Sequence, residues 1–325
     1  MDLKQAFKAS PGPDSWPQAF LLWLKGLGMG TADIIPGVSG GTIALITGIY
    51  GRLVAAINSF DTRLARRLWR RDWAGALAGV HLRFLLPLLL GIATAIVLAS
   101  RLIHHLLANY AVEVWSLFFG LIAASVLVVG RKVGRLTPAV VVVGLVFTAV
   151  AFWLVGIIPV QTPSTPWFIF LCGAVAICAM ILPGISGAFI LVILGKYALM
   201  TGALKNPFDP GNLLLIVVFL AGALLGILAF AKLLNFLLTR FHDLTMAALT
   251  GFMLGAMRKV WPWKEVLETR VIGGKVLVVR EANILPPRAD ADFWVAVGLM
   301  LLGLAVVIIL DRVSRRSGSS GEADA

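Results

Sequence analysis

The chain has 325 residues, of which 59% are hydrophobic and 14% charged, and its mean hydropathy is +0.94. Soluble domains carry about 25% charged residues, so this composition excludes nearly all soluble enzymes. The 28 lysines and arginines outnumber the 16 aspartates and glutamates, an excess that membrane proteins concentrate in their cytoplasmic loops. We therefore expect the bilayer as a partner and no binding of nucleic acid.

The chain begins with a polar stretch and continues with long apolar runs. Residues 1–17 lack the apolar core and cleavage site of a signal peptide, so we expect a cytoplasmic N-terminal segment and an uncleaved first helix. A bilayer crossing needs about 20 residues, and hydrocarbon offers no partners to backbone amides. Apolar runs of that order therefore predict an all-α polytopic membrane protein. The runs cover residues 83–107, 114–130, 138–158, 213–238 and 293–310.

An internal repeat organises these runs. PGVSGGTIALITGIY at 36–50 and PGISGAFILVILGKY at 183–197 share eight of fifteen positions. Each copy is followed by two long apolar runs, a basic tripeptide and a final run. We predict two repeats, 18–160 and 167–311, each with a re-entrant hairpin at its PGxSG motif and three transmembrane helices. The hairpins are centred around 36–41 and 183–188.

Basic residues predict how the repeats are oriented. Segment 52–83 holds seven arginines and should be cytoplasmic, whereas its counterpart 201–212 holds one lysine. Three crossings after each hairpin then make the second repeat inverted. This places loop 258–292 in the periplasm. Its sequence predicts a β-hairpin with its turn at Gly273–Gly274. The tail 312–325 returns to the cytoplasm and is predicted to be disordered.

The two breaks are the candidate transport site. Pro36 and Pro183 lack an amide hydrogen, so a helix must break there, and paired breaks in inverted repeats point to a substrate site. Amides at the following helix start suit an anion such as phosphate, while Ser39 and Ser186 cap the helix or donate to the anion. Simple kinks or packing points are the alternative. The candidate phosphate-binding residues at the breaks are Gly37, Ser39, Gly40, Gly41, Thr42, Gly184, Ser186 and Gly187.

Five charged residues within or beside the apolar segments are further candidates. A carboxylate inside a membrane costs about 3 kcal/mol, so Asp33 either couples a proton or cation, or fixes the hairpin as a cap or ion-pair partner. Arg101 and Lys232 occupy matching helix positions and either bind the phosphate or extend to the interface. Arg52 and Lys196 either attract the phosphate from the cytoplasmic and outer sides or anchor the chain at the interface.

Two segments resemble the twin signatures of the polyprenyl-phosphate transporter family (PopT). They are GMGTADIIPGVSGGTIALITGIY at 28–50, the first signature segment, and ILPGISGAFILVILGKY at 181–197, the second. The second departs from the family pattern at Ala188 and Lys196. The resemblance implies a bacterial inner-membrane protein, whose termini the charge pattern predicts to be cytoplasmic. It also implies that the protein returns undecaprenyl phosphate, the lipid carrier of cell-wall precursors, from the outer to the cytoplasmic leaflet for reuse.

Other classes of function fit the sequence less well. A lipid-phosphate enzyme needs a nucleophile or base with partners, and the sequence shows no such set beside either motif. An ion-coupled transporter of a small soluble anion would use the same hairpins and stays open, as does a homodimer. We expect no cofactor and no metal.

Overall fold

The computed structural model describes residues 2–35, 38–157, 160, 162–272, 275–286 and 290–319. The first repeat and the segment before it form nine helices within the described ranges. They are α1 (Leu3–Ala9), α2 (Trp16–Ile34), α3 (Gly40–Ile46), α4 (Tyr50–Asn58), α5 (Thr62–Trp69), α6 (Trp73–Gly79), α7 (Leu82–Asn109), α8 (Ala111–Gly130) and α9 (Pro138–Leu154).

The second repeat follows the same order and adds a small sheet before its last helix. Its elements are α10 (Pro166–Ile181), α11 (Gly187–Ile193), α12 (Tyr197–Ala203), α13 (Pro210–Arg240), α14 (His242–Ala256), β1 (Lys264–Ile272), β2 (Lys275–Asn283) and α15 (Ala291–Ser319). The strands are antiparallel, as the sequence predicts, with a register irregularity between Val266 and Thr269. The predicted turn at Gly273–Gly274 lies outside the described residues.

The prediction of a nearly all-helical membrane protein is confirmed. Helices α7, α8, α13 and α15 (to Arg312) are long and apolar enough to cross a bilayer. The short helices α3 and α4 meet at 117° and together form a bent apolar pair. Helices α9 and α10 are apolar but shorter, with 17 and 16 residues.

Helix packing repeats along with the sequence. Helix α2 packs against α7, and α10 packs in the same way against α13. A Cβ added at Gly91 would lie 2.1 Å from the Trp23 carbonyl oxygen, and one at Gly222 would lie 1.9 Å from that of Phe170. Trp23 and Phe170 occupy the same position relative to their PGxSG motifs. The first two long helices of each repeat therefore approach each other in a similar way, through a glycine of the second helix.

The last helix of each repeat packs on the other repeat. Helix α9 lies against α14 and α15 against α8, while α8 and α14 also touch, so these four helices form a central group. The contacts are close: a Cβ at Gly120 would lie 1.9 Å from the Met300 carbonyl oxygen, and one at Gly251 would lie 2.1 Å from that of Gly144. Small residues permit such close approach between helices in a membrane.

Loops that the charge pattern assigns to the same side of the membrane touch one another. Asp243 at the start of α14 accepts hydrogen bonds from the backbone amides of Gly134 and Arg135, at 2.9 and 3.1 Å. At the other end of α14, Arg258 donates to the Phe152 carbonyl oxygen at 3.1 Å. These contacts fasten one end of α14 to the loop before α9 and the other end to α9 itself.

Two segments outside the long apolar runs are also helical. The N-terminal segment contains α1, which packs against α6 and α7, and the arginine-rich segment folds into α4, α5 and α6. Helix α15 continues to Ser319, past the predicted repeat boundary at residue 311 and into the tail that was predicted to be disordered, because its arginines favour helix and no glycine follows residue 311 before Gly318. The arms of the first break are unequal, with 19 residues in α2 and seven in α3.

Candidate functional site

The first signature segment binds its own helix start. Asp33, near the end of α2, accepts a hydrogen bond from the Gly40 amide at 2.7 Å. Ser39 is the N-cap of α3, and its Oγ accepts from the Gly41 amide at 3.1 Å. Two amides that the sequence offers to an anion are therefore already bonded within the protein. Asp33 thus joins α2 to the start of α3, a contact of the hairpin-fixing kind that was one of its two expected roles. Gly37 lies outside the described residues.

The second signature segment has a similar local structure. Ser186 is the N-cap of α11 and accepts from the Phe189 amide at 3.2 Å. Gly184 has a φ of +97°, a conformation that side chains disfavour. Gly187 faces α10 so closely that a Cβ would lie 2.6 Å from the Ala176 carbonyl oxygen. The glycines at this break serve a sharp turn and close packing.

The two signature segments bind each other in the interior of the protein. Ser39 Oγ donates to the Met180 carbonyl oxygen at 2.9 Å. Thr42 Oγ1 accepts from the Gly184 amide at 3.0 Å. A Cβ at Gly41 would lie 2.4 Å from the carbonyl oxygen at the end of α10. Ser39, Gly41 and Thr42 therefore meet the end of α10 and Gly184 in one buried joint between the repeats. Ser39, Thr42 and the nearby Ser186 are all buried.

Lys196 lies at a second polar contact, in the turn between α11 and α12. Its ammonium group donates to the Thr162 carbonyl oxygen at 2.6 Å and to Ser164 Oγ at 2.9 Å. The side chain is 3% exposed. Lys196 thus ties the segment between the repeats to the second signature segment, and its charge is turned inward in this conformation.

Arg52 lies at a cavity that sequence reasoning did not find. The cavity has a volume of about 320 Å³ and is lined by residues of the N-terminal segment, α2 and the start of α4. Besides Arg52, its lining includes Lys25, which was not among the candidates. The sequence signal that could have identified Lys25 is its position within the apolar run FLLWLKGLG, because a charged residue in a membrane segment is costly and is usually functional.

Arg101 and Lys232 are separate from both the joint and this cavity. Both side chains are exposed on the surfaces of α7 and α13. Their neighbours Leu102 and Leu233 are also exposed, at 57% and 51%, so both charged residues lie on largely apolar helix surfaces. The structure does not bring these two residues together with the other candidates.

A charged cluster fastens the β-hairpin. Lys259 and Lys264 place their ammonium groups 3.2 and 3.5 Å from the Glu281 carboxylate. Burial raises the pKa of Glu281, but the two ammonium groups outweigh burial and hold that pKa below its ordinary value. Burial lowers the pKa of Lys264 to about 8, against the opposing effect of Glu281. Lys264 also lies 4.2 Å from the centre of the Trp115 ring, which links the hairpin to α8.

Comparison with known proteins identifies the family. A family profile described as undecaprenyl phosphate translocase-like matches residues 29–275, a range that includes nearly all of both signature segments. The chain belongs to this family. It is similar to a Polyprenyl-phosphate transporter of Vibrio cholerae, with 38% identity over 306 residues, covering 90% of this chain and 96% of that protein.

A second relative has the same description. A Polyprenyl-phosphate transporter of Staphylococcus aureus is 32% identical over 256 residues, covering 74% of this chain and 85% of that protein. No solved structure gives a significant match to the chain. The family membership thus agrees with the resemblance of the two signature segments.

Proposed function

We propose that this protein carries polyprenyl phosphate across the bacterial cytoplasmic membrane and returns the lipid from the outer to the inner leaflet. The substrate is supported by the names of both relatives, each described as a Polyprenyl-phosphate transporter. In this proposal both termini are cytoplasmic, and undecaprenyl phosphate is recovered for further rounds of peptidoglycan precursor synthesis. The lipid is moved without chemical change, so the protein is a flippase and not an enzyme.

The buried joint between the signature segments is the observation that carries the mechanism. Irregular backbone is tolerated at membrane depth only where protein or a wet cavity covers it. Here the start of α3, just after the first break, and Gly184, at the second break, each contact the other repeat through the Ser39–Met180 and Thr42–Gly184 hydrogen bonds. We propose that the two breaks are re-entrant hairpins of inverted repeats, and that their joint opens and closes a path for the head group.

The path has to serve only the phosphate. An isolated ionised group costs tens of kcal/mol in hydrocarbon by ideal solvation estimates, whereas the polyprenyl tail stays in lipid throughout. Because Asp33 and Ser39 already bind the amides of Gly40 and Gly41, we assign these groups to holding the joint in the present conformation. We propose that Arg52 attracts the head group from the cytoplasmic side. Lys196 attracts it from the outer side, after the hydrogen bonds of Lys196 to Thr162 and Ser164 have been released.

Helices α9 and α15, each of which packs on the other repeat, limit which parts of the protein can move. Since α9 packs on α14 and α15 on α8, the two repeats cannot rock as separate halves without breaking the central group. We propose instead that the central group stays fixed. The signature segments move against it together with the pairs α2–α7 and α10–α13.

A vesicle experiment tests the proposal. Sealed vesicles contain the reconstituted protein and a polyprenyl phosphate in the inner leaflet, and an added phosphatase that cannot cross the membrane reports exposed head groups. Exposure should be faster than in empty vesicles, and an imposed proton gradient tests coupling. Exposure at the rate of empty vesicles, with and without the gradient, would reject the proposal.

A further inference from the structure

The cavity beside Arg52 combines a cationic lining with a fixed wall. Arg83, at the start of α7, donates to the Lys8 carbonyl oxygen at 2.6 Å, to the Pro13 carbonyl oxygen and to Asp14 at 2.9 Å. These bonds hold the N-terminal segment across one side of the cavity. The lining residues are Gly12, Pro13, Asp14, Gln18, Leu21, Leu22, Lys25, Ile49 and Arg52.

The charges in the lining do not balance. Asp14 is the one acidic residue of the lining, and it is already paired with Arg83. Lys25 donates to the Thr47 carbonyl oxygen at 2.8 Å, which satisfies one of its three hydrogens. Arg52 places its Cζ 5.1 Å from the centre of the Phe84 ring, a contact that uses none of the five N–H donors of its guanidinium group as a hydrogen bond to a carboxylate. Among the described residues no carboxylate forms an ion pair with either cation.

An apolar surface adjoins these cations. Phe20, Leu21 and Leu24 lie on one side of α2 and are 60%, 53% and 40% exposed. Leu21 also lines the cavity, so the surface and the cavity are continuous. Two cations next to exposed hydrocarbon fit an amphiphile whose charged end is a phosphate and whose tail lies along the helix.

This arrangement occurs in one repeat only. In the register of the signature segments, the second repeat has Cys172 where the first has Lys25, and Leu199 where it has Arg52. The counterpart region around the start of α10 has a cavity of about 120 Å³, lined mainly by apolar residues and including Ser164. The two-cation site therefore belongs to a single end of the molecule, which the arginine-rich segment marks as cytoplasmic in the predicted topology.

We infer that the cavity between Lys25 and Arg52 binds the phosphate monoester of a polyprenyl phosphate at the cytoplasmic face. The identity of the lipid rests on the proposed function, whereas the phosphate chemistry rests on the cavity itself. Arg52 binds the phosphate oxygens with its N–H edge, and Lys25 acts as a second charge. The N-terminal segment, fastened by Arg83, closes the side of the site away from the lipid.

Binding measurements on the full-length protein in detergent test this inference. The probe is farnesyl phosphate, a short polyprenyl phosphate, and the competitors are farnesol, inorganic phosphate and phosphatidylglycerol. The variants are Lys25→Gln and Arg52→Gln, with Arg66→Gln as a matched control, because Arg66 is an exposed arginine of α5 outside the cavity. Each cavity variant should weaken binding about tenfold or more, as expected for a lost charge-assisted hydrogen bond, while the control binds like wild type.

The competitors separate the sources of the phosphate. Farnesol should not displace the probe, and inorganic phosphate should compete weakly because it lacks the tail. Equal competition by phosphatidylglycerol would overturn the assignment to a monoester, since any anionic lipid would then suffice. Unchanged affinity in Arg52→Gln would also overturn it. Arg52 is exposed, so this variant should fold even if Lys25→Gln, which loses the bond to Thr47, does not.

The vesicle assay separates this inference from the proposed function. If wild type moves the lipid and both cavity variants bind the probe normally, the inference is wrong and the proposed function stands. If both variants lose binding but wild type moves no lipid, the phosphate site stands and the proposed function is wrong. Loss of both binding and transport in Arg52→Gln, with normal behaviour of Arg66→Gln, supports both.

Discussion

Replacing Thr42 by valine tests whether the joint between the repeats stabilises the protein. Thr42 is 1% exposed, and its Oγ1 accepts the hydrogen bond of the Gly184 amide at 3.0 Å. Valine keeps the shape of the side chain but removes the acceptor, which leaves a buried amide without this partner. Such a loss costs about 1–3 kcal/mol. For a chain of this size we expect Tm to fall by about 2 °C for each kcal/mol.

The matched control is Thr250→Val. Thr250 is half-buried in α14, and its hydroxyl donates to the Met246 carbonyl oxygen of its own helix at 2.7 Å. That carbonyl keeps its helical partner, so the control should lower Tm much less. Thermal unfolding of both variants in detergent, followed by tryptophan fluorescence, makes the comparison. Equal Tm values for the two variants would refute the view that the Thr42–Gly184 bond supports the joint.

Three further predictions test other contacts. Gly120→Ala should destabilise the protein by about 1–3 kcal/mol, since the added Cβ would lie 1.9 Å from a carbonyl oxygen. The control Gly298→Ala, whose Cβ would meet nothing within 4 Å, should be neutral or stabilising. Equal Tm values for the two variants would contradict this prediction. Lys196→Met should lower the free energy of unfolding by about 1–3 kcal/mol, because two hydrogen bonds are lost. The control Lys205→Met, at an exposed site, should change it by no more than about 0.5 kcal/mol. Thermal unfolding measures both effects as a change in Tm. Because the pKa of Glu281 is lowered in the folded protein, its stabilisation is present at neutral pH and is lost as the pH falls through that value. The Tm difference between wild type and Glu281→Gln should therefore shrink below about pH 4, and a constant difference would contradict the linkage.

The long helices and the breaks could be predicted because their signals are local. Apolar length predicted α7, α8 and α13 nearly to their ends and α15 at its start, and the proline–glycine motifs predicted the interruptions before α3 and α11. The cap on the Gly40 amide was one of two roles predicted for Asp33. These features depend on residues close together in the chain.

The partners of the helices could not be predicted in the same way. In a membrane every helix is apolar on several sides, so hydropathy does not indicate which side meets another helix. The packing of α9 and α15 on the other repeat depends on glycines such as Gly120 and Gly251, and the sequence does not indicate which helix a glycine will contact. Lys25 was missed for a related reason, because its neighbour Arg52 is distant in the chain and only the fold brings both to one cavity.

Because α9 and α15 each pack on the other repeat, they also determine the order in which the protein can be assembled during synthesis. Chains leave the ribosome from the N-terminus, so α8 and α9 enter the membrane before α14 and α15 exist. Until then, the surface of α8 around Gly120 that α15 later covers lies against lipid or the insertion machinery. A chain that stops before residue 291 lacks the last of these partners, and a first repeat produced alone retains α2 with α7 but neither partner for its final two helices. Newly made protein can therefore complete its central group of helices only after α15 has been released.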